Sequence, residues 1–149
     1  MARNRLLREL KEIQKSNEPD IELGMVGDTI EDWRAIILGP SGSPYDGGKF
    51  ELSIKCTTSY PLAPPVILFK TKVFHPNIHF ISGEICLDIL QSEWSPAWSL
   101  QAACRAIISL LGNHNADSPL NCDAGNLIRC GDLLGFTSLA RFYTIEYAT

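Results

Sequence analysis

The sequence contains no hydrophobic run of the roughly 20 residues that a transmembrane helix needs, so no direct membrane insertion is expected. Its first sixteen residues carry charge throughout and lack the unbroken apolar segment of a secretory signal. Glu9 and Glu12 also argue against a transit peptide, which is typically poor in acidic residues. No Asn-x-Ser/Thr glycosylation site occurs. We therefore expect a cytoplasmic or nuclear protein.

Paired cysteines and an excess of basic charge are missing as well. The five cysteines are odd in number and form no Cys-x-x-Cys pair, so neither a disulfide framework nor a metal site is indicated. Thirteen Lys and Arg residues stand against seventeen Asp and Glu residues, which gives a net charge of −4. Because a general nucleic-acid binder shows the opposite balance, no nucleic-acid partner is expected.

What the sequence does contain is enough apolar material for a folded core. Of its 149 residues, 45% are hydrophobic, and this length is typical of one soluble domain, here spanning residues 1–149. A chain of this size buries roughly 70% of the surface that its unfolded form exposes. The core therefore needs no disulfide bond to be stable.

The N-terminal segment predicts an amphipathic helix. Leu6, Leu10 and Ile13 share one face, whereas Arg8 and Lys11 lie on the opposite face. Five of the thirteen basic residues and two acidic ones fall in the first sixteen positions, so the segment carries a charge of +3 and the remainder −7. The basic face is either simply solvated or a docking surface for an acidic protein partner.

After Pro19 the hydrophobic period changes from that of a helix to the two-residue period of strands. Four such segments are predicted, at residues 21–25, 33–38, 50–56 and 66–69. Because their links are short, an antiparallel meander is favoured.

The pattern is lost over residues 70–98, and an irregular segment of this length is typically functional. Ser99 then predicts the start of a helix, and residues 121–130 predict a short helix that ends at Gly131. A last predicted helix places five residues on one face: Phe136, Leu139, Ala140, Tyr143 and Tyr147. This order of elements indicates an α+β domain with C-terminal helices.

Cys86 lies in the irregular segment, within residues 83–90. A nucleophilic thiol paired with His75 or His79 is one interpretation. No third orienting group is identifiable, and one thiol with two histidines makes a poor metal site, so spacing alone leaves the role of Cys86 open. Two other cysteines are in register with core positions and predict inert buried thiols: Cys56 and Cys104.

Five phrases stand out along the chain: Gly39-Pro40…Pro44-Tyr45-x-Gly47-Gly48-x-Phe50, Tyr60-Pro61-x-x-Pro64-Pro65, His75-Pro76-Asn77-Ile78, Gly83-x-Ile85-Cys86-Leu87-Asp88-Ile89-Leu90 and Trp94-Ser95-Pro96-Ala97. In this order and at close to this spacing, across residues 2–147, they resemble the ubiquitin-conjugating enzymes. The tail over residues 118–132 is similar, more narrowly, to the peroxisomal (peroxin 4-like) branch of that family.

The resemblance implies the ubiquitin-conjugating fold and an enzyme that accepts ubiquitin from an activating enzyme as a thioester on Cys86. The enzyme would then transfer ubiquitin to a lysine of a protein substrate, together with a RING-type ligase. ATP is consumed by the upstream activating enzyme, so no bound cofactor is implied. Because the incoming acyl group is already activated, no strong base beside Cys86 is required.

The resemblance also implies roles around Cys86. Asn77 would stabilise the oxyanion as lysine attacks, directly or by holding the loop, or would only tie down its own loop. His75 is expected to pack within the loop rather than act as a base, and Asp88 is either a cap of a helical turn or a group near the incoming lysine. Ser118 stands where many members carry an aspartate. The segment between Asn77 and Cys86 is one residue longer than in the commonest members.

Two partner surfaces are implied as well. Arg5, Arg8 and Lys11 match the helix that family members offer to the activating enzyme, and they are expected to face away from the apolar stripe. Leu62 and the run Ser95-Pro96-Ala97 match the two loops that RING-type ligases contact. Leu62 departs from the aromatic residue often found there. Its flanking prolines would hold the loop ready and reduce the entropy lost on docking.

Two alternative functions remain open. The first is a carrier of another ubiquitin-like modifier, and the second is a non-catalytic ubiquitin-binding variant of the fold. Variants of the second kind typically lack the cysteine, whereas Cys86 stands in an intact phrase. The peroxisomal likeness implies a membrane-tethered protein partner that recruits the chain to the cytosolic face of peroxisomes.

Overall fold

One antiparallel sheet and four helices make up the computed structural model, which describes residues 1–149. A single 3-10 turn, Asp88–Leu90, interrupts the long connection between the sheet and the second helix. The elements in chain order are α1 (Ala2–Lys15), β1 (Ile21–Val26), β2 (Thr29–Leu38), β3 (Lys49–Lys55), β4 (Val66–Phe69), α2 (Leu100–Gly112), α3 (Cys122–Arg129) and α4 (Leu133–Tyr147). The predicted α+β class is confirmed.

The four strands pair in sequence order, each antiparallel to the next, as the meander prediction required. Ala35 of β2 pairs with Leu52 of β3, which pairs in turn with Phe69 of β4. All three side chains are buried, so this row across the sheet forms part of the core. The two-residue period of the sequence is thus the alternation between a core face and a more open face.

The cap of α2 lies where the sequence predicts it, and α3 begins one residue after its predicted start, with Asn121 as its cap. The Ser99 hydroxyl accepts a hydrogen bond from the Ala102 N–H at 3.1 Å, and the Asn121 side-chain oxygen accepts one from the Ala124 N–H at 3.1 Å. Just after α3, Gly131 adopts φ +81°, a conformation that suits glycine. The buried side of α2 comprises Leu100, Ala103, Cys104, Ile107, Ile108 and Leu111.

The predicted last helix is confirmed as α4, but the core uses only part of its predicted face. Leu139 and Tyr147 are 38% and 48% exposed, whereas the buried positions of this helix are Phe136, Ala140 and Thr144. These three follow one another at intervals of four, so a narrow stripe faces the core. Thr144 is buried without cost to its hydroxyl, because the Oγ1 donates a hydrogen bond to the Ala140 carbonyl at 2.8 Å.

The irregular segment returns to the sheet at one point and is held by its own short pairings. Glu84 forms a bridge with Leu68 of β4, and Ile85 forms one with Ile78. Residues 77–86 therefore fold back on themselves beside the last strand, which places Cys86 at a defined position despite the lack of regular structure. None of the helices is both long enough and apolar enough to cross a membrane.

Candidate active site

Cys86 is an exposed thiol on an anchored backbone. Its N–H donates a hydrogen bond to the Asn77 carbonyl at 2.8 Å, and the preceding Ile85 is buried. By contrast, Cys56 and Cys104 are buried, and burial raises the pKa of each to about 12. The prediction of two inert core thiols is thus confirmed, and Cys86 is free to meet a partner.

The turn that precedes Cys86 is organised by His79. The His79 Nδ1 accepts hydrogen bonds from the N–H groups of Ile81 and Ser82 at 3.2 and 3.1 Å. Gly83 closes the turn with φ +78°, and a Cβ at this position would lie 2.0 Å from the Phe69 carbonyl oxygen, so only glycine fits. The ring nitrogen that could have served as a base is therefore used to hold the turn.

His75 is a buried structural residue, as the sequence predicts. Its Nδ1 accepts the Asn77 N–H at 3.0 Å, so the proton lies on Nε2, which donates to the carbonyls of Leu110 and Asn113 at 2.8 and 3.0 Å. Burial lowers the pKa of His75 to about 4, and the ring is neutral near pH 7. A histidine with both nitrogens occupied does not act as a base for Cys86.

The Asn77 side chain is buried and bound to the loop that follows α2. Its Nδ2 donates to the Asn115 carbonyl at 2.8 Å, and its Oδ1 accepts the Asn115 N–H at 2.9 Å. This pair ties the loop at residue 115 to the segment beside Cys86. The Nδ2 carries a second hydrogen, so the same amide has a donor left for a reacting group.

Ser118 lies on the loop that Asn77 holds. The N–H groups of Leu120 and Asn121 donate to the Pro76 carbonyl at 2.8 and 3.1 Å, which brings this loop next to the His75-Pro76-Asn77 run. Ser118 is exposed and has φ +56°, a left-handed conformation that Asp and Asn adopt more readily than serine. Its neighbour Asp117 is also exposed, so a carboxylate is available on the same loop.

Asp88 starts the 3-10 turn but does not cap it with its side chain. The Asp88 carbonyl accepts the N–H groups of Gln91 and Glu93, each at 2.9 Å, while the carboxylate forms neither a hydrogen bond nor an ion pair. The interpretation of Asp88 as a side-chain cap is therefore wrong. Its exposed carboxylate, two residues from Cys86, leaves the role near an incoming lysine as the expectation. No three His, Cys, Asp or Glu side chains converge in a group that could hold a metal ion.

The two loops of the second predicted partner surface meet in the structure. Leu62 is 69% exposed, and Pro96 and Ala97 are exposed on the neighbouring loop. The Trp94 Nε1 donates to the Pro61 carbonyl at 2.8 Å, which joins the loops at their bases. This bond between the loops was not predicted, although a tryptophan and a proline beside the two motifs were visible in the sequence.

The basic surface of α1 is smaller than predicted. Arg8 and Lys11 are exposed, but only 14% of the Arg5 side chain is exposed. Its Nε donates to the buried Glu9 carboxylate at 2.8 Å and its Nη2 to the Trp98 carbonyl at 2.7 Å. The prediction that Arg5 faces away from the apolar stripe is therefore wrong, because a buried acid on that stripe draws it inward.

Comparison with known proteins agrees with this geometry. The family model described as ubiquitin-conjugating enzyme matches residues 5–143. Protein PEROXIN-4 of Arabidopsis thaliana is 54% identical over 145 residues, which are 96% of this chain and 92% of that protein. Ubiquitin-conjugating enzyme E2 pex4 of Dictyostelium discoideum is 56% identical over 144 residues, 96% of this chain and 97% of that protein.

Solved structures agree with the sequence comparison. In the crystal structure of the H. polymorpha ubiquitin conjugating enzyme Pex4p in complex with the soluble domain of Pex22p, the Pex4p chain is 36% identical to this one. The two superpose with a TM-score of 0.94, over 98% of this chain and 97% of that one. The predicted resemblance is confirmed: the chain belongs to the ubiquitin-conjugating enzyme family and, within it, is similar along its length to members named peroxin-4.

Proposed function

We propose that this enzyme accepts ubiquitin from an activating enzyme as a thioester on Cys86 and transfers it to a lysine of a protein substrate. The observation that carries the proposal is the exposed Cys86 thiol on a backbone held at 2.8 Å to the buried Asn77. An acyl carrier needs a thiol that is accessible first to the activating enzyme and then to the substrate, on a backbone that is held in a fixed position.

The chemistry needs two acyl transfers. First, the Cys86 thiolate attacks the ubiquitin thioester on the activating enzyme, a new carbon–sulfur bond forms, and the activating enzyme's thiolate leaves. Then a neutral lysine amine attacks the Cys86 thioester, a carbon–nitrogen bond forms, the Cys86 thiolate leaves, and the amine proton passes to a base or solvent. Each thioester is already activated, because ATP is consumed by the activating enzyme, so the absence of a paired base at Cys86 is consistent with this chemistry.

The residues around Cys86 serve the second transfer in this proposal. The second hydrogen of the Asn77 Nδ2 stabilises the oxyanion that forms when the amine attacks, while the first hydrogen holds the loop at Asn115. The exposed Asp88 and Ser118 lie where an approaching lysine meets the enzyme. Serine offers a hydrogen bond without charge, so it positions the amine less firmly than a carboxylate would.

The partners follow from the two surfaces. Arg8 and Lys11 of α1, with a minor part from the tucked Arg5, form a basic face for the activating enzyme, whose docking surface is accordingly acidic. Leu62 with the Pro96-Ala97 turn forms an apolar surface for a RING-type ligase. An exposed leucine flanked by prolines, beside a second proline turn, is the kind of patch that marks a protein interface.

A peroxisomal role is the finer part of the proposal. It rests on the relatives named peroxin-4 and on the H. polymorpha Pex4p complex with the soluble domain of Pex22p. We infer that a comparable membrane-tethered protein partner holds this enzyme at the cytosolic face of peroxisomes, with a cytoplasmic pool of the free chain. Localisation of a tagged chain before and after deletion of such a partner tests this, since a distribution that never includes peroxisomes contradicts it.

The charging reaction tests the central step. Wild-type chain incubated with activating enzyme, ATP and ubiquitin should gain one ubiquitin that a reducing agent removes on a gel. Cys86→Ser should give a more durable oxyester that resists reduction. Parallel reactions with another ubiquitin-like modifier and its matched activating enzyme decide between the alternatives. Charging with that modifier and not with ubiquitin would contradict the proposal, and no charging with either would favour a non-catalytic variant.

A further inference from the structure

Glu9 of α1 is a buried carboxylate that the proposed chemistry does not use. Only 3% of the residue is exposed, and its carboxylate accepts three hydrogen bonds. The donors are the Arg5 Nε at 2.8 Å, the Tyr60 hydroxyl at 2.5 Å and the Leu100 backbone N–H at 2.7 Å. Burying a charge costs free energy unless the charge is paired and hydrogen-bonded. The three donors to Glu9 are therefore held in place by the need to satisfy its carboxylate.

Two of the three bonds of Glu9 reach residues beside the apolar surface formed by Leu62 and the Pro96-Ala97 turn, one next to each loop. Tyr60 stands two residues before Leu62, and Leu100 stands three residues after Ala97. Arg5, itself bound to Glu9, extends the arrangement by donating to the Trp98 carbonyl at 2.7 Å. One side chain on α1 thus holds both loops of the apolar surface at their bases, although it contributes nothing to the exposed patch itself.

Each loop has a closing hydrogen bond of its own, and a small number of further contacts join the two loops. The Leu62 N–H donates to the Ser59 carbonyl at 2.8 Å, and the Trp98 N–H donates to the Ser95 carbonyl at 3.0 Å, so each loop closes on itself. Apart from Glu9, the loops are joined by the hydrogen bond from the Trp94 Nε1 to the Pro61 carbonyl and by contacts of the Tyr60 ring. The Tyr60 and Trp94 rings lie 5.9 Å apart, and the Arg5 guanidinium lies 5.7 Å from the Tyr60 ring centre.

We propose that Glu9 is a positioning residue for ligase recognition, which sets the spacing between Leu62 and the Pro96-Ala97 turn before any ligase binds. A partner that meets two apolar turns already in place loses less entropy on docking than one that must order them. The inference rests on the proposed function for its ligase, but the arrangement that it assigns to Glu9 is testable without one.

Glu9→Gln with Glu12→Gln as its control separates positioning from a change of charge. Glutamine keeps the size of the side chain but replaces one acceptor oxygen by a donor NH₂, which faces groups that are themselves donors. At least one of the three bonds is therefore lost. Glu12 lies on the exposed side of the same helix, so Glu12→Gln changes the net charge equally without touching the cluster.

The first measurement is hydrogen exchange. In Glu9→Gln, the Trp94 Nε1–H, which joins the two loops, should exchange at least about tenfold faster than in the wild type, while the amides paired between β2 and β3 change less than about twofold. Glu12→Gln should match the wild type throughout. Unchanged exchange at the Trp94 Nε1–H, or equal acceleration of all amides, would overturn the proposal, since the latter describes loss of stability alone.

The second measurement is discharge of the Cys86 thioester to free lysine, titrated with a RING domain that stimulates the wild-type enzyme. Glu9→Gln should raise the half-saturating RING concentration about tenfold or more, with charging, unstimulated discharge and the rate at saturation within about twofold. Tyr60→Phe removes only the hydrogen bond from the Tyr60 hydroxyl to Glu9, so it should raise the half-saturating concentration less. This variant also tests the proposal if Glu9→Gln does not fold. An unchanged half-saturating concentration in both variants would refute the role in recognition.

The two measurements fail separately. If no RING domain stimulates the wild-type enzyme, the ligase part of the proposed function is wrong, and the exchange data still decide whether Glu9 positions the two loops. If RING stimulation is normal in the wild type and in both variants, the proposed function stands and Glu9 has no part in recognition.

Discussion

The loop at Cys86 and the inner face of α2 at Cys104 present the same side chain in opposite surroundings. Cys104 is fully buried, and burial raises its pKa to about 12, so it stays a thiol that contributes only packing. Cys86 is exposed, with its backbone N–H bonded to Asn77. The comparison teaches that residue type decides little here, because accessibility separates a chemical role from a structural one.

The two regions are also coupled. His75 donates from its Nε2 to the carbonyls of Leu110 and Asn113 at the end of α2, and its Nδ1 accepts the Asn77 N–H. The core helix thereby holds the irregular loop through a buried polar ring rather than through a strand or helix. Pairs of residues of the same type, one buried and one exposed, therefore test whether burial separates structural roles from chemical ones.

The cysteine pair should give the largest effect. Cys86→Ala should abolish the reducible ubiquitin adduct, because no sulfur remains to form a thioester. Cys104→Ala should leave charging near the wild-type rate and cost roughly 1 kcal/mol of unfolding free energy, since it creates a small cavity. Gel assays of charging and urea unfolding of both variants measure this. A reducible adduct that survives in Cys86→Ala would contradict the comparison.

The asparagine pair comes next. Asn77→Ala should slow discharge of the thioester to lysine by about 10²–10³, the usual loss for one oxyanion donor, while charging changes far less. Asn113→Ala is the control, because Asn113 is exposed and its side chain donates only to the Ser109 carbonyl. Single-turnover discharge of pre-charged enzyme gives the rate. Equal discharge rates for the wild type and Asn77→Ala would mean that Asn77 only holds the loop at Asn115.

The arginine pair on α1 extends the comparison to the basic surface. Arg5→Glu places a second carboxylate beside the buried Glu9, so the unfolding free energy should fall by about 3 kcal/mol. Arg8→Glu should leave stability unchanged and weaken apparent affinity for the activating enzyme severalfold, with a dependence on salt. Urea unfolding and charging kinetics at two salt concentrations measure both. Similar losses of stability in the two variants would remove the distinction.

The buried His75 predicts that the free energy of unfolding depends on pH. Because the folded pKa of His75 is about 4 and the ordinary value is about 6.5, the unfolded chain binds a proton that the folded chain refuses between these values. His75 therefore lowers stability progressively as pH falls from 6.5 to 4, by roughly 3 kcal/mol in total, and its contribution is constant above 6.5.

Replacement of His75 sharpens that prediction. His75→Gln should flatten the pH dependence of the unfolding free energy between pH 6.5 and 4.5. Urea unfolding at half-unit pH steps provides the slopes. A wild-type slope in His75→Gln would show that other groups control the acid transition.

Ser118 should show the smallest effect. Near pH 7 fewer than about one lysine amine in a thousand is neutral, because the free pKa is about 10.4, so a carboxylate that positions the amine and accepts its proton should help. Ser118→Asp should speed lysine discharge about fivefold near neutrality, with little change in charging. Aspartate also suits the left-handed φ of +56° at this position.

Discharge rates from pH 7 to 9 test this last change. The wild-type rate should rise steeply across that range, and the advantage of Ser118→Asp should shrink as lysine becomes neutral without help. Equal rates for the two forms at every pH would mean that the neighbouring Asp117 already supplies the carboxylate.

Much of the fold could be predicted because its signals are local. The two-residue period identifies β1, β2 and β3, although β2 begins at Thr29, four residues before its predicted start. The short run after three prolines gives β4 to the residue, and the cap Ser99 marks the start of α2. The motif around Cys86 predicts the candidate acceptor thiol for a similar reason, since the glycine and the buried isoleucine that shape the turn are neighbours in sequence. In α4, the apolar residues mark one face of the helix, but tertiary packing decides which narrow part of that face is buried.

The sequence by itself determined most of each strand, the start of α2, the family and the candidate thiol, because strand periods, a helix cap and the family's motifs are each formed by residues a few positions apart. The tertiary structure alone decided that Asn77 binds Asn115, 38 positions away, and that Glu9 reaches Tyr60 and Leu100 across 51 and 91 positions. Hydrophobic periodicity indicates which face of an element is buried, but not which polar group from a distant part of the chain contacts that face. A buried carboxylate on an apolar stripe finds its donors only when the chain has folded.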